Sequence, residues 1–203
     1  MMNDRNLLKR PNKNKINNPR EYYWLYGYHA VKSALNNPLR KLECLLATPS
    51  AIKGLGTLPT TSPEPKLVSP SDLSALLPVG AVHQGVVAKA FALPAISLEQ
   101  VFSTLQTNQD CPILVLDQVT DPRNVGAILR SAAAFKSPAI IMQERHAPTE
   151  SGAMAKAASG ALDLVPMVRV TNLSRTLKKL ASEGYWIVGL DHDGPTPLSA
   201  SPI

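Results

Sequence analysis

With 203 residues, 44% of them hydrophobic and 18% charged, the chain falls among globular proteins with room for one large domain or two small ones. No uninterrupted apolar run reaches the roughly 18 residues that a membrane helix needs, and the N-terminus lacks the apolar stretch of a secretory signal. A membrane-spanning or secreted protein is therefore not expected, and the default address is cytoplasmic. The net charge of +6 suggests a nucleic-acid binder until its location is considered, because Arg5, Lys9, Arg10, Lys13, Lys15 and Arg20 supply most of it. That segment is also rich in Asn and cannot bury enough apolar surface to order itself, so residues 1–21 read as a disordered basic tail. It suits equally an arm that neutralises nucleic-acid phosphates or a plain solvated terminus. It has no serine and no amphipathic period, which argues against a mitochondrial presequence. Cys44 and Cys111 stand in unlike contexts without zinc-type spacing, so they read as buried free thiols, and no metal is expected.

Taken in chain order, residues 22–92 show the pattern of a small α/β domain. An aromatic-rich start leads into a helix through His29 to Leu35, punctuated by Asn36-Asn37-Pro38, and then into strands near Leu42 to Ala47 and Gly85 to Ala90. Between them Lys53 to Pro70, dense in Pro, Thr, Ser and Gly, reads as loop with one short strand at Lys66 to Ser69. Residues 93–111 read as a linker that holds a short helix around Leu98 to Gln106.

From Ile113 the rhythm becomes strand, turn, helix, repeated through residues 112–203. Ile113-Leu114-Val115-Leu116 is a continuous apolar run of the kind found in a buried parallel strand. A helix over Asn124 to Phe135 comes next, then a strand at Ala139 to Met142, a helix from Gly152 to Ser159 and a strand from Leu164 to Val170. A helix over Leu173 to Ser182 and a strand at Trp186 to Leu190 complete the alternation. The fold class is α/β, with a parallel sheet in this second part.

Ligands of open parallel sheets bind where strand ends feed into helix starts, and the first such turn here runs from Asp117 to Gly126. Asp121-Pro122 makes a turn, Asn124 is suited to cap the helix, and Gly126 permits close approach of backbone or ligand. Helical side chains lean toward the N-terminus, so a long Arg130 reaches back over the turn that Asn124 begins. A guanidinium, a carboxamide and helix-end amides at one mouth suit phosphate or ribose oxygens. Singly, each feature has a plainer reading as a cap, a turn or a solvated arginine. Together they say more, because Ile128, Leu129, Ala132, Ala133 and Ala134 make the helix otherwise apolar. It reads as buried on most sides, where a lone arginine needs a partner or a task.

The stretch Leu116-Asp117-Gln118-Val119-Thr120-Asp121-Pro122-Arg123-Asn124-Val125-Gly126-Ala127-Ile128-Leu129-Arg130-Ser131-Ala132 resembles the first motif of the SpoU family of RNA 2′-O-ribose methyltransferases, within the SPOUT superfamily. Lys156 to Leu162, Val168 to Leu173 and Gly184 to Gly189 are similar to segments that come after that motif in the family. Tyr26-Gly27-Tyr28-His29-Ala30-Val31 and His83-Gln84-Gly85-Val86-Val87-Ala88 are similar to the substrate-binding domain of the branch that methylates guanosine in bacterial large-subunit rRNA. The resemblance implies a small N-terminal RNA-substrate-binding domain joined to a SPOUT methyltransferase domain of α/β knot type. It also implies S-adenosylmethionine as cofactor, RNA, and rRNA in particular, as partner, and a homodimer. By the same resemblance Asn124 and Arg130 are the catalytic pair, and Arg123, Gly126, Lys156, Ser159 and His29 belong to the substrate-binding surface. An arginine is normally protonated, with a pKa above about 12. Arg130 is therefore expected to hold a flanking phosphate and polarise the hydroxyl rather than act as a free base, with Asn124 fixing it and the ribose.

Two later motifs of the family, a Gly-Glu-Gly loop and a Ser-Leu-Asn segment threaded through the knot, are not found in these 203 residues. By the resemblance, the residues that bind the cofactor are expected beyond Ile203. The expectation for the chain itself is an incomplete, knotless sheet with an exposed apolar edge, an incomplete dimer interface and a cofactor pocket without the family's two later motifs. A truncated, split or decayed reading frame would account for that. The alternative function is an inactive RNA-binding remnant of such an enzyme. A nucleotide-dependent oxidoreductase is disfavoured, since no Gly-x-Gly-x-x-Gly turn succeeds a strand.

Overall fold

The computed structural model describes residues 22–105 and 111–191, together with 193, 194, 196, 197 and 200. The basic tail read from residues 1–21 lies outside them. So does Ile203, the position past which the cofactor motifs are expected, and the described residues do not reach that part of the sheet. The N-terminal part is built from β1 (Tyr22–Tyr26), α1 (Tyr28–Asn36), β2 (Leu42–Ala47), α2 (Pro49–Leu55), β3 (Pro65–Leu67), α3 (Pro70–Leu76) and β4 (Val86–Phe91). Its four-stranded sheet runs β1-β4-β2-β3, with β4 antiparallel to both neighbours and β3 parallel to β2. Both faces are covered, so side chains alternate between two apolar layers. Leu25, Leu45, Val86 and Ala88 meet α1, while Trp24, Cys44, Leu46 and Val87 meet Leu73 and Leu76 of α3.

Helix α2 runs three residues into the stretch from Lys53 to Pro70 that reads as loop, and α3 begins at its last residue. Pro49 and Pro70 each occupy the first helical turn behind a capping hydroxyl, Thr48 and Ser69, and Ser69 forms a reciprocal capping box with Asp72. Proline costs nothing there, because the first-turn amides have no helical partner. The two prolines therefore mark helix starts.

After α4 (Leu98–Leu105) come β5 (Leu114–Leu116), α5 (Pro122–Ala134), β6 (Ile140–Gln143), α6 (Gly152–Ala158), a 3-10 turn at Ala161–Asp163, β7 (Met167–Val170) and α7 (Leu173–Ser182). The three strands are parallel in the order β5-β6-β7. The expected strand from Leu164 begins only after Pro166, and Leu164 itself is exposed. Residues 185–190 form no strand, and Trp186 and Leu190 are 80% and 78% exposed. This run pairs with no strand among the described residues, and β5 stays at the edge of its sheet. Helices α5 and α6 cover one face of the sheet, whereas α4 and α7 cover the other through Leu98, Val101, Ile141, Val168 and Leu180.

The two sheets share one apolar core, in which Leu25, Val31 and Leu35 are continuous with Val125, Leu129, Ile140, Met154 and Leu162. At its margin lies a buried polar knot. Arg40 donates through Nε to Asp163 Oδ1 at 2.7 Å and through Nη1 to Glu150 Oε2 at 2.6 Å. Nη1 also reaches the Phe91 carbonyl and the Tyr23 hydroxyl, which in turn donates to Glu150. The second Glu150 oxygen accepts the Leu93 amide, and Asn37 donates to Asp163. Burial alone would lower the Arg40 pKa, but Tyr23, Glu150 and Asp163 around it more than reverse that.

Replacing Arg40 with Met should strand two buried carboxylates and destabilise the fold by about 3–5 kcal/mol in urea titration. The hydroxyl of Tyr23 is held well above its ordinary value of 10.0, first by burial and then by the Glu150 charge. An unfolded tyrosine ionises first as pH rises, so this group's contribution is intact below pH 10 and is lost upward from there. Alkaline unfolding of Tyr23→Phe should show a correspondingly shallower loss than the parent chain.

Candidate RNA-facing site

Helix α5 starts at the C-terminal mouth of the parallel sheet. Asp121, not Asn124, is its cap, with Oδ1 accepting the Arg123 amide at 2.8 Å. Pro122 fixes the first helical position, which places Asn124 third in the helix, a full turn from any capping role. The helix buries only Val125, Gly126, Leu129 and Ala132. Arg123, Asn124, Ala127, Arg130, Ser131 and Ala134 are exposed, which corrects the reading of a helix buried on most sides. Its alanines are small enough to stand in water as readily as in a core. Arg123 and Arg130, seven residues apart, fall on nearly the same face, with Asn124 about 100° around the axis. Arg130 has no hydrogen bond or ion pair among the described residues. It is thus an available cation rather than a buried one awaiting a partner.

The turn between β5 and α5 carries a conformational cost. Gln118 sits at φ 54°, in the left-handed region, which for a residue with a Cβ costs about 1–2 kcal/mol. Together with exposed Asp117 and Thr120 it shapes the lip of the mouth.

Gly126 faces inward. A Cβ there would lie 2.4 Å from the Met154 carbonyl oxygen and 2.7 Å from Ala157 Cβ. The close approach expected of this glycine is to the backbone of α6, so its assignment to the substrate surface is corrected to helix packing. Lys156, on α6, reaches the first sheet instead of the α5 mouth. Its Nζ donates to Gln84 Oε1 at 2.7 Å, and that oxygen also accepts the Tyr28 amide. Burial lowers the Lys156 pKa. Gly27 sits at φ 94°, which disfavours any side chain, and a Cβ there would lie 2.7 Å from the mobile Nζ of Lys156. Burial raises the pKa of Tyr26, and the opposing charge that acts on it is Arg123. The start of α5 is therefore linked through Tyr26, Gly27 and Lys156 to the loop at Gln84.

His29 and Ser159 line a different cavity, of about 500 Å³, between α1 and the end of α6. Ser159 is the left-handed cap of α6, and His29 stands edge-on to Tyr28 with ring centroids 5.3 Å apart. No hydrogen bond or ion pair among the described residues joins this pair to Asn124 or Arg130. The seven predicted residues thus fall into an exposed α5 group (Arg123, Asn124, Arg130), a bridging lysine, a second cavity and one packing glycine. Gln84 and Gln118 lie in segments that carry the resemblance but are not among the predicted site residues, since a positive φ (55° and 54°) and, for Gln84, two donors from distant residues are not visible in sequence.

An open parallel sheet with an exposed cationic helix face at its strand ends defines the class, an α/β protein. Comparison with known proteins agrees. Residues 112–202 match the SpoU rRNA Methylase family, and residues 24–95 match the family described as RNA 2′-O ribose methyltransferase substrate binding. A 23S rRNA (guanosine-2′-O-)-methyltransferase from Photobacterium profundum is 34% identical over 81% of this chain and 69% of its own length. A relative of the same name from Pseudomonas aeruginosa is 34% identical over 86% of this chain and 76% of its own length. Among solved structures, the SpoU methyltransferase AviRb of Streptomyces viridochromogenes, in complex with AdoMet, superimposes with a TM-score of 0.59 at 22% identity. It matches 80% of this chain, and the chain spans 60% of its length. A TrmH-family RNA methyltransferase structure from Porphyromonas gingivalis gives 0.58 at 22% identity, over 80% of this chain and 60% of that one. The chain belongs to the SpoU rRNA methylase family.

Gly126→Ala should force α5 and α6 apart and cost about 1–3 kcal/mol in urea unfolding, an overpacking penalty. No loss of stability would contradict the tight crossing.

Proposed function

We propose that the chain serves transfer of a methyl group from S-adenosylmethionine to a ribose 2′-hydroxyl of structured RNA in the cytoplasm, with a guanosine of large-subunit rRNA as target and a homodimer as the working form. One observation carries the reading, namely Asn124 and unpaired Arg130 on the exposed face of α5 at the mouth of the parallel sheet. The family match and the names of the relatives support it. The described residues form one wall of the crevice and leave the open edge of β5 without the other. They do not by themselves complete a pocket for the methyl donor.

Arg130 binds the phosphate beside the target ribose and directs its fork of N–H donors at the 2′-oxygen. Negative charge builds on that oxygen as its proton leaves to water, and a fixed guanidinium stabilises the charge most when water is otherwise excluded. Asn124, on the preceding turns, orients the ribose through its carboxamide. Arg123 adds a phosphate contact at the helix start, where the peptide dipoles also favour an anion.

The test is transfer of tritium from methyl-labelled S-adenosylmethionine to a large-subunit rRNA transcript, followed by nucleoside analysis. With a polypeptide that also carries the donor-binding segment, label in 2′-O-methylguanosine is expected, and Arg130→Lys should lower it at least about 100-fold with thermal unfolding unchanged. Substantial turnover by Arg130→Lys would sink the assignment of that residue. RNA binding by that polypeptide without any transfer would replace the enzymatic reading with that of an RNA-binding module.

A further inference from the structure

A cavity of about 590 Å³ opens on the first sheet between the start of α2 and the His83-Gln84-Gly85 loop, within the roughly 300–1,000 Å³ typical of small-molecule sites. Its walls are flat and small: the Tyr28 ring, Pro49, Pro70 and Ala51, with the hydroxyls of Thr48 and Ser50 between them. No carboxylate lines it. Lys32 Nζ stands 5.5 Å from the centre of the Tyr28 ring, and Lys156 stands behind Gln84.

The orientation of Gln84 is decided by its partners. Both the Tyr28 amide and Lys156 Nζ are donors, so the oxygen faces them. The amide –NH₂ is left with no partner among the described residues. His83 holds the loop from the other side, with Nδ1 accepting the Gly85 amide at 3.1 Å and Nε2 3.2 Å from the Ser74 hydroxyl. A loop strained at Gln84 (φ 55°) and tied at both ends thus presents one free donor at a cavity with an aromatic wall and a cationic rim. Proteins that read unpaired RNA splay a base out, stack it on an aromatic ring and hydrogen-bond its edge.

We propose, resting on the RNA reading above, that this cavity receives one unstacked base of the RNA substrate. Tyr28 supplies the stacking surface, the Gln84 amide donates to a carbonyl or ring nitrogen on the base edge, and Lys32 and Lys156 face the flanking phosphates. Lys156, on the α6 that packs against α5 at Gly126, bonds Gln84 at the cavity, so α6 joins the two sites.

The experiment uses the full chain and a short uridine-rich single-stranded RNA carrying 4-thiouridine, with a blunt duplex of equal length for comparison. Photocrosslinks should map to Tyr28 or to the His83–Gly85 loop. Tyr28→Ala should weaken single-strand binding about tenfold while leaving duplex binding unchanged, and Tyr28→Phe should retain most of it. Ser50→Leu fills the cavity from an exposed helical position without touching the core, and should show the same selective loss even if Tyr28→Ala folds poorly. Single-strand binding left intact by Ser50→Leu, with crosslinks elsewhere, would overturn the cavity assignment and leave the RNA reading standing. Failure of the parent chain to bind either RNA would overturn both.

Discussion

The arrangement rests on Arg40. Its guanidinium, with a fully buried side chain, is gripped by Glu150 and Asp163 from the second part of the chain and by Tyr23 and the Phe91 carbonyl from the first. A charge in that position is costly unless every neighbour is in place, so the knot tolerates few relative placements of the two sheets. Hydrophobic burial across the shared core supplies most of the attraction, but apolar surfaces slide over one another at little cost. Directional bonds to an arginine do not, which is how the Gln84 loop and α5 come to keep a fixed relation.

This fixed relation gives meaning to residues that do little alone. Arg123, Asn124 and Arg130 project from a helix braced against α6 by the Gly126 crossing. Lys156 is on the same α6 and closes the Gln84 loop of the other sheet. One helix therefore supports the α5 face from one side and the cavity around Tyr28 from the other. A long RNA substrate can be held at a base and presented at a ribose without either contact being strong by itself.

Much of this was legible in the sequence because it is local. The βα rhythm from Ile113, the strands at Leu42–Ala47 and near Val86, and the helix over Leu173–Ser182 come from apolar period and turn residues. The exposed α5 face lies within the motif that resembles the SpoU family. What escaped depends on distance along the chain or on context. Nothing near Arg40 announces Glu150, 110 residues away, and the starts of α2 at Pro49 and α3 at Pro70 flank the proline-rich stretch, with capping hydroxyls as their signal. The apolar run at Trp186–Leu190 has the composition of a strand but pairs with no strand among the described residues, and composition does not report pairing. Gly126 showed the reverse error, in which a glycine beside a site was read as part of it when its reason is the Met154 carbonyl.

The central claim is that the two sheets form one body fixed through the Arg40 knot, and native-state hydrogen exchange in sub-denaturing urea tests it most directly. Amides of Trp24–Tyr26 in the first sheet and Ile140–Met142 in the second should open with the same free energy and the same urea dependence. Exchange of the first sheet at a distinctly lower free energy, independent of the second, would contradict it.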